Sequence, residues 1–265
     1  MKNNPFDEHG VEYLSPTSIN KFRKDPCKWI VNVAGYTDRI FSPAMTFGIA
    51  IEDGITFGVL NPDASIDDCY EAVRHGYKKV YARIYEAEAD QHYEWEKCNV
   101  KKDQIKDTID AIIPSYREFG IPIDTQKRVE LEIEELPIPI IGYVDYLYDD
   151  YVRDLKTTGV IPKVRSDYQR QLTFYAKATE KMPILDFVYA TKTKKEMHTI
   201  PVENIDDTFQ EIKRIAMKMM NLLSLSSDIR EVARLSCLEP DITNEDFSKQ
   251  WGANEILGAK ELFMY

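Results

Sequence analysis

Between residues 126 and 158 the chain changes period, and that change limits the fold more than any other feature of the sequence. QKRVELEIEEL alternates Val129, Leu131 and Ile133 with Glu130, Glu132 and Glu134. This is the two-residue period of a strand with one wet face. IPIIGYVDYLYDD reads as a second strand, and Asp149-Asp150 supplies its turn. YVRDLKTT reads as a third. Together they predict an antiparallel meander over 126–158.

Helical periods flank the meander. YLSPTSINKFRKDPCKWIVNVAG predicts a helix capped by Ser15 or Thr17, with Pro16 in its first turn and an interruption at Pro26. SPAMTFGIAIEDGITFGVL predicts a second helix from Ala44 to the neighbourhood of Phe57. Residues 66–119 predict two long amphipathic helices, broken near Asn99 and ended by EFGIP, as a helical insertion or cap. After the meander, SDYQRQLTFYAKATEKM predicts a helix capped by Ser166 or Asp167 and ended before Pro183. ILDFVYATKTKK predicts a fourth strand, and IDDTFQEIKRIAMKMMNLLSLSS a long helix. The tail from Cys237 reads as acidic and irregular, with Trp251, Leu257 and Phe263 available to dock it. The expectation is an α/β (α+β) fold, a mixed central sheet flanked by helices, in one domain over 1–265. Within it, 66–119 is the insertion and 237–265 the tail.

Composition sets the class of partner. Apolar residues make up 43% and charged residues 30%, as in ordinary globular chains. No apolar run approaches the roughly 18 residues of a membrane span, and the polar start lacks a signal-peptide core. A cytoplasmic location, in a bacterial cell or an infected host cell, with no membrane partner, is expected. The net charge of −11 argues against a generic nucleic-acid binder. Yet residues 151–220 hold 13 Lys and Arg against nine Asp and Glu. An acidic body with one basic face still steers a polyanion; a solvated surface of mixed charge is the plainer alternative.

The chemistry concentrates in GYVDYLYDDYVRDLKTTG. Residues two apart on a strand share a face, so Asp154 and Lys156 point the same way. A tight hairpin folds Asp145 back beside Asp154. Two carboxylates from neighbouring strands are costly to keep ionised unless a cation sits between them. All-oxygen ligation suits Mg²⁺ or Mn²⁺, one or two ions. Such an ion activates water and offsets charge on a phosphoryl oxygen, and a lysine beside it orients the water or stabilises the transition state. The plainer alternative is a surface hairpin with a cross-strand Asp–Lys pair. Context favours the site. The next helix carries Gln171 and Tyr175 at i,i+4 spacing. A further acid, Glu52, follows Gly48 on a helix where glycine allows close approach. Asp53 lies about 100° around that helix, so only one of the two acids faces the site squarely.

GYVDYLYDDYVRDLKTT followed by QRQLTFYAKA resembles the PD-(D/E)XK nuclease superfamily, in its RecB-like branch with a Q-x-x-x-Y helix. SPTSINKFRKDPCKWI is similar to that branch's N-terminal segment, and TFGIAIEDGI to its G-x-x-x-H/E helix. The likeness touches most of residues 15–192. It implies a restriction-endonuclease-like core. Glu52, Asp145 and Asp154 would be metal ligands, with the backbone carbonyl of Leu155 completing the set. Lys156 would be the catalytic lysine, and Gln171 and Tyr175 would position DNA or the lysine's surroundings. Thr157 is placed with these positioning residues. Glu130 resembles an acid often found on the first strand, and either stands behind the ligands or is one of three solvent-facing glutamates. Iron–sulfur relatives in this branch use one N-terminal and three C-terminal cysteines. Here Cys27 sits in DPCKW, but Cys237 is alone at the other end, so no iron–sulfur cluster is expected.

Under this resemblance Lys163, Arg165, Arg170, Lys177 and the lysines of 192–195 would hold phosphates, Arg165 and Arg170 foremost. Tyr168, Tyr143 and Trp29 would stack bases, with core packing as the alternative. The chain has no Walker loop, H-E-x-x-H or G-x-S-x-G. The resemblance implies a stand-alone exonuclease acting on ends of linear DNA, single- or double-stranded, in recombination or repair, with a phage as one expected source. A recombination or single-strand-binding protein and a second copy of the chain are candidate partners. The rivals are a sequence- or structure-specific endonuclease and a catalytically silent DNA-binding subunit.

Overall fold

The alternating segment forms three antiparallel strands in a computed structural model, which describes residues 4–38, 42–74, 104–240 and 251–263. Strand β1 is Asp124–Leu131, β2 Ile140–Leu147 and β3 Tyr151–Thr158. The Asp149-Asp150 turn is closed by the Tyr148 N–H donating to the Tyr151 carbonyl at 3.0 Å, and the two tyrosine rings stack at 4.7 Å. A fourth strand, β4 (Met182–Ala190), runs parallel to β3. The chain then turns at 191–194 and returns as β5 (Lys195–Pro201), antiparallel to β4. The expected single strand ILDFVYATKTKK is therefore corrected to a hairpin. β5 carries the polar run KEMHTIP on the sheet's rim, where little burial is needed and the apolar pattern fades. The mixed sheet has order β1-β2-β3-β4-β5, with β1 and β5 as edges.

Helices cover both faces. α1 is Pro5–Glu8, α2 Pro16–Lys24 and α3 Pro26–Val33. Ser15 and Ser18 form a reciprocal capping box at the start of α2, and Asp25 caps α3, which satisfies free N–H groups at both starts. Pro26 divides the pair as its sequence position requires. α4 is Pro43–Leu60 and α5 Ile105–Arg117. A further helical run covers 66–74; the expected break near Asn99 lies outside the described residues. α6 is Ser166–Thr179 and α7 Ile205–Leu223. Neither Ser166 nor Asp167 caps α6 with its side chain: the capping position is Arg165, and Asp167 instead sits in the first turn. α8 is Ile229–Leu235 and α9 Ala253–Phe263. The expected irregular tail is thus corrected: from Ala253 it is helical. Trp251 is buried, but Leu257 stays half exposed.

Two apolar cores lie on opposite sides of the sheet. One gathers α2, α3, α6 and α7 with Ile140, Val144, Val152, Leu185 and Phe187. The other gathers α4 and α5 with Tyr146, Leu155, Val188 and Ala190. Glycines set two close approaches. A Cβ on Gly142 would meet the Phe174 ring at 2.6 Å, which lets α6 settle on β2. A Cβ on Gly48 would meet Thr157 Oγ1 at 3.0 Å, which brings α4 against β3. Among the described residues no helix is long and apolar enough to cross a membrane.

Candidate active site

The site begins where the β2–β3 ladder gives out. The two strands pair through Tyr146–Arg153 and Leu147–Val152 and then part. In a continued ladder the Leu155 N–H would face the carbonyl of Val144. It donates instead to Asp145 Oδ2 at 2.8 Å. From α6 the Tyr175 hydroxyl donates to the Tyr143 carbonyl at 2.6 Å. Side chains thus take up backbone groups near the gap, as buried polar groups require. Asp145 and Asp154 lie on the two sides of this gap.

The side-chain alternation also slips here. Val144 belongs to one core and Tyr146 to the other, although a two-residue period would put them on one face. Opposite, Lys127 pairs with Val144 and Thr125 with Tyr146, leaving Gln126 across from Asp145. Gln126 takes a left-handed φ of 51°, uncommon for a non-glycine residue. Its Nε2 donates to Glu52 Oε1 at 2.5 Å and to Asp145 Oδ1 at 3.1 Å. Glu52 reaches the gap from α4, and its neighbour Asp53 is exposed. From the other face, Gln171 Nε2 donates to Asp154 Oδ1 at 3.1 Å and to the Tyr175 hydroxyl at 2.8 Å. Lys156 Nζ stands 2.5 Å from Asp154 Oδ2.

Charge is crowded at this point. Burial pushes the Glu52 carboxyl up from 4.5 to about 7; Lys156 opposes that rise, and Asp154 and Asp53 add to it. Burial, then the charges of Asp154 and Glu52, hold Asp145 well above the usual carboxylate range. Burial also raises Asp154, against the pull of Lys156. Burial alone would lower the lysine, but Asp154, Asp145 and Glu52 outweigh it and hold Lys156 above its ordinary value. The ammonium is therefore charged at neutral pH. With all three carboxyls ionised, one lysine would leave the site two positive charges short of balance, which is why they hold protons when no further cation is present.

A divalent cation fits that deficit. Asp154 Oδ2 is buried and has no well-angled hydrogen bond, although it lies against the lysine. It is a hard oxygen suited to Mg²⁺ or Mn²⁺. Among the described residues no three Asp, Glu, His or Cys side chains already form a metal cage. Asp145 and Asp154, with Glu52 behind the Gln126 amide, would hold the ion together with water.

The remaining sequence candidates divide. Leu155 lies between the two key strand residues, its side chain in the α4-side core. Thr157 packs against Gly48. Glu130 lies four positions along β1 from Gln126, exposed and paired with Arg128 at 2.8 Å; of its two readings the solvent-facing one matches this placement. Arg170, expected to hold phosphate, is buried and braced, bonded to Asn20 Oδ1 at 2.6 Å and to Glu211 Oε1 at 3.1 Å. Arg165 is exposed but forks onto Asp167. Lys177 pairs with Asp206. Trp29 is core, edge-on to Phe22. Tyr143 is 55% exposed, so the core-packing alternative does not hold for it. Lys156 Nζ sits 5.8 Å from the centroid of the Tyr168 ring. Gln126 was not among the sequence candidates. An amide at the head of a strand carries no motif, and only the slip opposite Asp145 reveals it.

No family model matches the chain, and no curated protein matches its sequence. Among solved structures, the "Putative exonuclease" from Eubacterium rectale aligns over 91% of this chain and 88% of its own, with a TM-score of 0.54 and 16% identity. A second, SSO0001, aligns over 83% of this chain and 96% of its own at a TM-score of 0.31 and 14% identity, too distant to bear on the comparison. The first likeness is one of fold: a mixed five-stranded sheet flanked by helices.

Proposed function

We propose that this chain is a metal-dependent DNA nuclease of the PD-(D/E)XK superfamily, in the RecB-like branch, acting as an exonuclease on linear DNA ends. The observation that carries the proposal is the meeting of Asp145, Asp154 and Lys156 where β2 and β3 part. A bound Mg²⁺ or Mn²⁺ supplies Lewis-acid polarisation of the phosphodiester and a lowered pKa for water.

The chain's own residues do the rest. Lys156, protonated and held by Asp154, is a poor general base and a good partner for negative charge growing on a phosphoryl oxygen. Gln171 holds Asp154 from behind, and Tyr175 fixes that glutamine and the β2 backbone together. The basic excess of residues 151–220 lies in the same part of the chain and would draw the polyanion in. The fold likeness to a protein described as an exonuclease agrees with this reading.

The test is end-labelled linear DNA, single- and double-stranded, with Mg²⁺ or Mn²⁺. Label should be released with wild type, and not with EDTA. Lys156→Ala should lower the rate by about 100-fold or more. A well-folded, metal-loaded wild type that leaves the label intact would move the assignment to a silent DNA-binding subunit. Discrete fragments from circular plasmid would move it to an endonuclease.

A further inference from the structure

We infer that Gln126 is a positioning residue of the cation site: its amide draws the Glu52 and Asp145 carboxylates together before the ion arrives. The inference rests on the nuclease reading above and deepens it. Glu52 and Asp145 come from different elements, α4 and β2, and repel each other in an acidic pocket. A site whose ligands must be gathered at the moment of binding loses affinity to that gathering. Gln126 supplies the gathering in advance. One nitrogen places its two hydrogens on one oxygen of each carboxylate, at 2.5 and 3.1 Å. Each carboxylate oxygen has two lone pairs, so these bonds leave acceptor capacity facing the gap.

The backbone shows that this placement is held at a cost. Gln126 is left-handed in the interior of a strand whose pairing continues in register on both sides. No residue is inserted there, so the conformation does not serve to absorb an extra one. Strain of this kind persists where surrounding contacts over-determine it. Here those contacts are the two carboxylates. The side chain is exposed, and its described side-chain hydrogen bonds both run to the two carboxylates.

Backbone and side-chain roles separate in one substitution. Gln126→Gly relieves the left-handed strain and deletes the amide. In EDTA it should unfold at the wild-type temperature or above. Its Mn²⁺ dissociation constant, followed by electron paramagnetic resonance of free Mn²⁺, should rise about tenfold, which is about 1.4 kcal/mol. Cleavage should return toward the wild-type rate as Mn²⁺ is raised to saturation. Gln126→Asn, which tolerates the same backbone but is one methylene short, should resemble the glycine variant. Unchanged Mn²⁺ affinity in both variants would overturn the inference, and so would tighter binding, which would make the amide a competitor of the ion. Wild type without Mn²⁺ affinity would instead bring down the nuclease reading, and this inference with it.

Discussion

Asp154 is the residue on which the site's energetics turn. It is buried, paired with Lys156 and held by Gln171, and its second oxygen lacks a full hydrogen bond. With Asp145 and Glu52 it gives the folded protein carboxyls that bind protons more tightly than the unfolded chain does. The sign follows from linkage. Between the ordinary carboxyl value near 4.5 and the Glu52 value of about 7 the folded state carries the extra protons, so stability falls as pH rises through that window. In EDTA the melting temperature should therefore drop from pH 5 to pH 8, and Mg²⁺ at pH 8 should restore it. Asp154→Asn should flatten the pH dependence and abolish the Mg²⁺ shift; differential scanning fluorimetry reads both. Asp145, Asp154 and Lys156 were legible in the sequence because strand spacing places them on facing positions. Gln126 was not, because its part depends on a backbone conformation that no residue type announces.

At the scale of elements, two close contacts carry the site. Gly142 lets the Phe174 and Tyr175 rings of α6 lie on β2. Gly142→Ala should cost about 1–3 kcal/mol in urea unfolding, the usual penalty for overpacking, and should loosen Gln171 with it. Arg170 should behave as structure. Arg170→Ala leaves Glu211 without its buried partner and should lower stability. It should leave the salt dependence of DNA binding unchanged, where a phosphate contact would reduce the slope by about one. Helices α2 to α7 and the first four strands were legible because their periods are strong and many of their ends carry Pro, Ser or Asp. β5 was lost because a rim strand needs little apolar pattern. α1, α8 and α9 were lost because short helices docked by a few buried groups need no long periodic run.

At the scale of the whole molecule, the C-terminal helix closes on the N-terminal pair. Trp251 Nε1 donates to Asp25 Oδ2 at 3.0 Å. Lys28 Nζ meets Glu255 Oε2 at 2.7 Å, with both side chains largely buried, and Asn32 donates to the other Glu255 oxygen at 2.9 Å. Removing one partner of a buried pair costs about 3–5 kcal/mol. Glu255→Ala should lower the unfolding midpoint and strip hydrogen-exchange protection from α9 and α3 before the sheet. The sheet's rims have a further consequence. β1 shows solvent Lys127, Arg128 and Glu130, and β5 begins at Lys195-Glu196 and ends at Pro201. Among the described residues both edges are unpaired, and charge on both, with a proline at the end of β5, makes them poor templates for another strand. At high concentration the folded protein should stay dispersed rather than grow into fibrils.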